Sequence, residues 1–167
     1  MRYFILLCAC LLISCNSKTK EQPTDEVETI TYYLIRHAEK ETHNPDDKNP
    51  PLTEEGQRRA KDWAEAFRDI PIDEIYSTSY KRTTETATPT ANQKKLDIQT
   101  YDPHKGLPES IDGKNILIVG HSNTISEMAN TIIGKEKFTP LSDDTYDLLF
   151  ILVRQGDHVQ DVVIKMP

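Results

Sequence analysis

Two short runs of mostly β-branched, aromatic and aliphatic residues constrain the fold of this 167-residue chain more than any other feature. The first covers residues 30–35, and the second, Asn115–Gly120, has the sequence NILIVG. Strands that are buried on both faces of a sheet have such nearly continuous apolar sequences, and they occur mainly in parallel sheets covered by helices. The two runs therefore predict two central strands of a sheet.

Segments with helical periodicity follow these runs. Helices are predicted over residues 53–70, 81–91 and 122–133. Thr53 and Ser122 are potential N-caps of the first and third helices, and Gly134 would end the third. Pro89 would bend or shorten the second.

Shorter strand-like segments complete the pattern. They are predicted over residues 72–76, 96–101, 146–153 and 159–165. Strands that alternate with helices predict an α/β domain with a mostly parallel sheet and helices on both faces. The last two strands, which flank a turn at Gly156 and Asp157, are expected to form an antiparallel edge.

The N-terminal segment lies outside this alternation. Residues 3–13 carry no charge and follow Arg2, and they are too few to span a bilayer comfortably, which is typical of the apolar region of a secretory signal. The sequence LISC, ending at Cys15, resembles the lipobox of bacterial lipoproteins, in which processing leaves the cysteine as a lipidated first residue. We therefore predict a signal peptide over residues 1–14, a lipidated Cys15 with a flexible tether over residues 15–28, and a domain over residues 29–167.

This prediction makes the protein an exported lipoprotein held at a membrane, in the periplasm or on the cell surface. An ordinary signal peptide or a membrane anchor is the alternative. Cys8 and Cys10 lie in the predicted signal, so the domain itself has no cysteine for a disulfide, a thiolate metal site or a nucleophile.

Charge narrows the possible partners. The net charge is −7, and removal of Arg2 with the signal makes it −8. An acidic domain without a basic stripe of interleaved aromatic residues is not typical of a nucleic-acid-binding protein, although a few local cations can still attract an anionic substrate. Histidine pairs with the spacing of zinc ligands are missing from the sequence, so we expect neither a metal nor another cofactor.

Charged side chains follow both predicted central strands. Arg36 and His37 come directly after the first strand, and His121 follows the second. Because ligands of open α/β sheets bind beyond the carboxyl ends of the strands, we expect these side chains to face one crevice. Their charges would then lie at the mouth of the core and not inside it.

Four segments resemble, in order, the motifs of the histidine phosphatase superfamily, also called the phosphoglycerate mutase-like family. LIRHAEK resembles its Arg-His-Gly motif, and PLTEEGQRRA resembles its Leu-Thr-x-x-Gly helix entry. YSTSYKRTTETA has the spacing of its Ser-x-Pro-Leu-x-Arg-Ala-x-Gln-Thr-Ala segment, which places a second arginine at Arg82. ILIVGHSN resembles its strand that ends in a second histidine, His121. The chain departs from the usual glycine, proline, leucine and serine at Ala38, Ser79, Tyr80 and Gly120, and none of these changes removes a charged group.

The resemblance implies a phosphoglycerate mutase-like three-layer sandwich and a phosphomonoester hydrolase that forms a phosphohistidine on His37. The phosphate would accept hydrogen bonds from Arg36, Arg82, protonated His121 and the backbone amides of Ser122 and Asn123. Guanidinium groups match the geometry of phosphate and lower the pKa of a neighbouring imidazole, which helps to keep His37 neutral for attack.

The family takes the proton for the leaving alkoxide from a carboxylic acid after the third strand, and this chain offers two. Glu109 fits the Leu-x-Glu pattern of the family, and Asp102 stands closer to the end of the predicted strand. We favour Glu109 slightly and keep Asp102 as the alternative. His43, His104 and His158 are expected to be surface residues and not ligands.

Only about a dozen residues separate Tyr101 from the strand at Asn115, which leaves no room for the large capping insertions of mutases and phytases. The chain therefore resembles the short branch that includes phosphohistidine phosphatases, with an open site. Because the export signal weighs against a protein phosphohistidine, a small phosphorylated metabolite is the predicted substrate. A protein phosphohistidine phosphatase, or a non-catalytic lipoprotein that binds phosphorylated or other anionic ligands, is the alternative.

Overall fold

The structure is a computed structural model that describes residues 28–106 and 114–166. Within these ranges the elements are, in order, β1 (Thr29–Arg36), α1 (Glu54–Ala66), β2 (Glu74–Ser77), α2 (Lys81–Lys94), β3 (Ile98–Thr100), β4 (Asn115–Gly120), α3 (Ser122–Ile133), β5 (Leu148–Gln155) and β6 (His158–Lys165). The predicted signal peptide, Cys15 and Glu109 lie outside the described residues. None of the helices described has the length and apolar character needed to cross a membrane.

The six strands form one sheet in the order β3-β2-β4-β1-β5-β6. The strands β3, β2, β4 and β1 are parallel, whereas β5 pairs antiparallel with β1 and β6 pairs antiparallel with β5. This topology confirms the predicted mostly parallel sheet with an antiparallel edge. The register pairs Arg36 with Gly120, so the two central strands end side by side.

Helices cover both faces of the sheet, as predicted. Alternate side chains of β4 enter two separate cores: Ile116 and Ile118 pack with α3, whereas Leu117 and Val119 pack with α1 and α2. All four side chains are fully buried, and each contributes roughly 1.5–3 kcal/mol of hydrophobic stabilisation. The core therefore holds β4 firmly at the point where its carboxyl end leaves the sheet.

The two predicted N-caps have different outcomes. Thr53 is the N-cap of α1, and its Oγ1 accepts a hydrogen bond from the amide of Gly56 at 3.0 Å. Ser122 is the first residue of α3 and not its N-cap, so that prediction was wrong. The N-cap is His121, whose amide donates to Oγ1 of Thr124 at 2.9 Å. The helix start thus lies directly at the second histidine.

Pro89 lies inside α2, and the helix continues past it to Lys94. The proline removes one backbone hydrogen bond, and the helix was expected to be shortened or bent there. The helix is therefore not shortened there, and its C-cap is Lys95, which adopts a left-handed conformation with φ of 58°. Gly134 ends α3 in the same way, with φ of 70°, as its lack of a side chain predicts.

Candidate active site

The ends of β1 and β4 place two histidines next to each other. The amide of His37 donates to the carbonyl of Gly120 at 2.9 Å, and the ring centroids of His37 and His121 are 5.4 Å apart. Arg36 and His37 are 4 % and 3 % exposed, respectively. Two groups that are 84 positions apart in the sequence therefore face each other at the mouth of the core.

A cavity of about 380 Å³ opens beyond these strand ends. Its lining contains six residues that the sequence singled out: Arg36, His37, Arg82, His121, Ser122 and Asn123. Lys40, Tyr80, Pro103, His104, Thr124 and Asp143 complete the described lining. The cavity is within the size range of small-molecule sites, and its described lining is strongly cationic.

His37 is held by the backbone that follows it. Its Nδ1 lies 2.7 Å from the carbonyl of Ala38, which can only accept, so Nδ1 carries the proton and Nε2 keeps its lone pair. The amide of Ala38 in turn donates to Oγ1 of Thr86 at 2.9 Å. Burial, together with the positive charge of Arg36 and the neighbouring His121 and Arg82, lowers the pKa of His37 to about 3 against the opposing effect of the Ala38 hydrogen bond. The ring is therefore neutral near physiological pH.

His121 is held by hydroxyl groups from another part of the chain. Its Nε2 lies 3.0 Å from Oγ1 of Thr78, which lies 2.9 Å from Oγ1 of Thr83. Since the Thr83 hydroxyl donates to the carbonyl of Tyr80 at 2.8 Å, the Thr78 hydroxyl donates to Thr83 and accepts from the His121 ring.

Burial, followed by the charges of Arg82 and Arg36, lowers the pKa of His121 to about 4. The ring is thus neutral near pH 7, and only an added negative charge in the cavity would favour the imidazolium form. Protonation of His121, as expected from the sequence, therefore requires a bound anion.

Arg36 is fixed by a loop that follows α3. Its Nη1 donates to the carbonyls of Ser142 at 2.7 Å and Thr145 at 3.1 Å, and its guanidinium carbon lies 4.3 Å from the ring centroid of Tyr146. Among the described residues, Arg36 forms an ion pair only with the carboxylate of Asp143, which is 3.9 Å away and fully exposed. Water screens such an exposed charge, so it neutralises Arg36 only weakly.

Arg82 extends from the first turn of α2. Its guanidinium carbon lies 4.2 Å from the ring centroid of Tyr80, and burial lowers its pKa. The Nε atoms of Arg36 and Arg82 are both buried and have no hydrogen-bond partner among the described residues. A buried donor without a partner costs about 1–3 kcal/mol, so this arrangement favours a ligand that accepts hydrogen bonds.

Of the two predicted proton donors, the structure describes only Asp102. Asp102 is exposed, lies outside the described lining, accepts from the amide of His104 at 3.0 Å and has Lys105 at 3.9 Å. Glu109 lies outside the described residues. His104 is exposed, as expected, but it does line the cavity; His43 and His158 are exposed elsewhere.

Sequence reasoning missed several residues of the site. Lys40, Asp143 and Tyr146 were not singled out, and Tyr80 was noted only as a departure from a motif. Lys40 is the last residue of the first motif segment, LIRHAEK, and that position was the one available signal. Within the described ranges, no three His, Cys, Asp or Glu side chains are grouped so that they could hold a metal ion.

Residues 32–109 match the model of the histidine phosphatase superfamily (branch 1). No curated protein matches the chain. Several solved structures have the same fold. The chain is similar to the mycobacterial glucosyl-3-phosphoglycerate phosphatase, with 10% identity and a TM-score of 0.63 over 83% of this chain and 99% of the other.

The protein histidine phosphatase SixA is also similar, with 12% identity and a TM-score of 0.62 over 81% of this chain and 96% of the other. The phosphoglycerate mutase of Bacillus anthracis is similar as well, with 16% identity and a TM-score of 0.61 over 83% of this chain and 94% of the other. At these identities the likenesses establish the fold, which is the phosphoglycerate mutase-like fold expected from the sequence.

Proposed function

We propose that this chain, whose residues 32–109 match the histidine phosphatase superfamily model, hydrolyses phosphomonoesters through a phosphohistidine on His37. One observation carries the proposal. The buried Arg36 and the half-buried Arg82 line the same cavity as two neutral histidines, and the Nε atom of each arginine is buried without a hydrogen-bond partner among the described residues. A phosphomonoester dianion supplies the acceptors and the negative charge that this lining lacks.

In the first step, the phosphate group lies among Arg36, Arg82, His121 and the start of α3. The lone pair of His37 Nε2 attacks phosphorus, a nitrogen–phosphorus bond forms, and the bond from phosphorus to the ester oxygen breaks. The leaving alkoxide takes a proton from a carboxylic acid. His121, protonated by the nearby phosphate charge, donates to a phosphoryl oxygen together with the two arginines.

In the second step, water attacks the phosphohistidine. The carboxylate that gave its proton in the first step now removes one from water, and the bond between Nε2 and phosphorus breaks. Inorganic phosphate and neutral His37 result. The hydrogen bond from Nδ1 to the Ala38 carbonyl fixes the same tautomer of the ring before and after the cycle.

We propose Glu109 as the carboxylic acid. Asp102 remains the alternative, but its exposed position outside the described lining favours Glu109. The amides of Ser122 and Asn123, at the N-terminus of α3, are proposed to add donors to the phosphate, since the first amides of a helix have no partner within it.

The substrate is proposed to be a small phosphorylated molecule. Structures with the same fold include a glucosyl-3-phosphoglycerate phosphatase and a protein histidine phosphatase, so a protein phosphohistidine is the second candidate. The proposed lipid on Cys15 would hold the enzyme at a membrane, facing the periplasm or the cell exterior. The sequence LISC and the polar segment after it support this location.

The test compares the full chain with two single variants, all purified in detergent. Wild type is expected to hydrolyse p-nitrophenyl phosphate, and His37→Ala is expected to lose about 1,000-fold or more in kcat. His158→Ala, which changes an exposed histidine of β6, serves as the matched control.

Trapping the intermediate completes the test. Wild type incubated with a substrate that carries radioactive phosphorus should acquire a label that is stable in alkali and labile in acid, and His37→Ala should not. A label on a serine or a carboxylate would overturn the mechanism. Absence of turnover in wild type that still binds phosphate would identify a non-catalytic anion-binding protein.

A further inference from the structure

Lys40 lines the same cavity as the proposed nucleophile, and its backbone is held in place. Lys40 forms an isolated antiparallel bridge with Leu52, and the residues before and after Lys40 form backbone hydrogen bonds with the same segment. The carbonyl of Glu39 accepts from the amide of Thr53 at 2.9 Å, and the amide of Glu41 donates to the carbonyl of Pro51 at 2.9 Å. Lys40 therefore extends from backbone that is hydrogen-bonded on both sides.

The charge of Lys40 is not neutralised by its neighbours. The carboxylate of Glu39 binds the Nε of Arg59, at 2.8 and 3.0 Å, and that of Glu41 lies 2.6 Å from Nδ1 of His43. The ammonium group of Lys40 has neither a hydrogen bond nor an ion pair with any residue that the structure describes. A half-buried cation that has no partner among these residues is available to a ligand.

The same conclusion follows from the charges around the cavity. Its described lining contains three permanent cations, Arg36, Arg82 and Lys40, and one carboxylate, that of the fully exposed Asp143. The two negative charges of a phosphomonoester match the two guanidinium groups. Lys40 then remains as a further cation that faces the same volume of about 380 Å³.

We propose that Lys40 binds a second anionic group of the substrate, either a carboxylate or a second phosphate. This inference rests on the proposed phosphatase function and narrows the substrate class to small phosphomonoesters that carry another negative charge. An ammonium group is a compact charge with three donors on a flexible stem, so it suits either anion. The four groups around the phosphate fix the reacting end of the substrate, and Lys40 selects the other end.

The experiment uses two pairs of substrates with the full chain. O-Phosphoserine and O-phosphoethanolamine differ by one carboxylate, and glucose 1,6-bisphosphate and glucose 6-phosphate differ by one phosphate. Wild type should have a higher kcat/KM for the more anionic member of at least one pair, and Lys40→Gln should reduce that preference about tenfold. The pair that responds identifies whether a carboxylate or a phosphate is bound.

Two further variants control for charge and folding. Lys61→Gln removes the same charge from an exposed position of α1, and it should keep the wild-type preference. Lys40→Arg keeps the charge and should keep most of the preference. If Lys40→Gln leaves the preference in both pairs unchanged, the inference is wrong.

Failure of the phosphatase proposal gives a different result. If wild type hydrolyses none of the four compounds, their dissociation constants are measured by calorimetry with the same variants. If Lys40→Gln, and no other variant, binds the more anionic compound about tenfold more weakly than wild type does, the result would support the second anion site. Equal binding by all variants would overturn the inference.

Discussion

The carboxyl ends of β1 and β4 lie side by side and each precedes a histidine, but the two rings are fixed by different parts of the chain. His37 is held by the carbonyls of Ala38 and Gly120, which are backbone groups of its own neighbour and of the adjacent strand. His121 is held by the side chain of Thr78, which follows β2 and is supported by α2. The proposed nucleophile is thus held mainly by backbone, whereas the second histidine depends on side chains.

Among the variants that test this difference between the two histidines, His121→Ala should have the largest effect. We expect kcat to fall about 100- to 1,000-fold because the phosphate loses one charged donor while the nucleophile stays in place. Rapid-quench labelling should still detect a phosphohistidine in this variant, in contrast to His37→Ala. If His121→Ala removes the label as completely as His37→Ala does, the two histidines share the nucleophilic role and the assignment to His37 is wrong.

The second test measures how the free energy of unfolding changes below pH 6.5. Because the pKa of His37 falls from 6.5 to about 3 on folding, the unfolded chain binds a proton below pH 6.5 that the folded chain does not. The free energy of unfolding should therefore decrease as the pH falls from 6.5 towards 3, by at most about 1.4 kcal/mol per pH unit from this ring. His121 contributes in the same direction.

Urea unfolding across this range should show that His37→Ala loses less stability on acidification than wild type does. His158→Ala, at an exposed position, should follow the wild-type curve. Parallel curves for His37→Ala and wild type would contradict the burial of a neutral ring at this position.

The same two strand ends show what the sequence could predict. The apolar runs of β1 and β4 and the rule for parallel sheets were sufficient to bring Arg36, His37 and His121 together, and the spacing of one motif added Arg82. These predictions needed only strand order and local pattern. The helix start at His121 differed from the prediction by a single residue.

The rest of the site depends on contacts that no local pattern contains. The Thr78 hydroxyl reaches His121 only because β2 lies next to β4 in the sheet, and Tyr146 lies beside Arg36 through a loop far along the chain. Lys40 lines the cavity because its backbone pairs with Leu52 across an irregular loop. Such placements require the packed structure.

Two threonine variants test the same contrast between a ring held by side chains and a ring held by backbone, with smaller expected effects on kcat. Thr78→Val removes the hydrogen bond to the His121 ring, and kcat should fall about tenfold with a shifted pH profile, because one neutral hydrogen bond contributes roughly 1 kcal/mol. Thr86→Val instead leaves the buried amide of Ala38 unpaired. It should lower the stability by about 1–3 kcal/mol and change kcat less than Thr78→Val does.

Steady-state kinetics and urea unfolding of both variants separate these effects. Equal losses of kcat with unchanged stability in both variants would contradict the distinction between a ring held by side chains and a ring held by backbone.

The smallest predicted effect is a coupling between Gly120 and Tyr101. Gly120 connects the two histidines because its carbonyl accepts a hydrogen bond from the amide of His37 and the next residue is His121. A Cβ at this position would lie 2.9 Å from the Tyr101 hydroxyl, from Oγ1 of Thr124 and from Cδ1 of Ile125. Gly120→Ala should therefore destabilise the fold by roughly 1–3 kcal/mol through overpacking.

The Tyr101 hydroxyl is buried without a hydrogen-bond partner among the described residues, so Tyr101→Phe alone should be close to neutral. Since it removes one of the three close contacts, Gly120→Ala should be about 1 kcal/mol less destabilising in a Tyr101→Phe background. Urea unfolding of the four proteins measures this coupling. Strictly additive changes would mean that Thr124 and Ile125 alone restrict the space, and that the glycine at the end of β4 is independent of the tyrosine that follows β3.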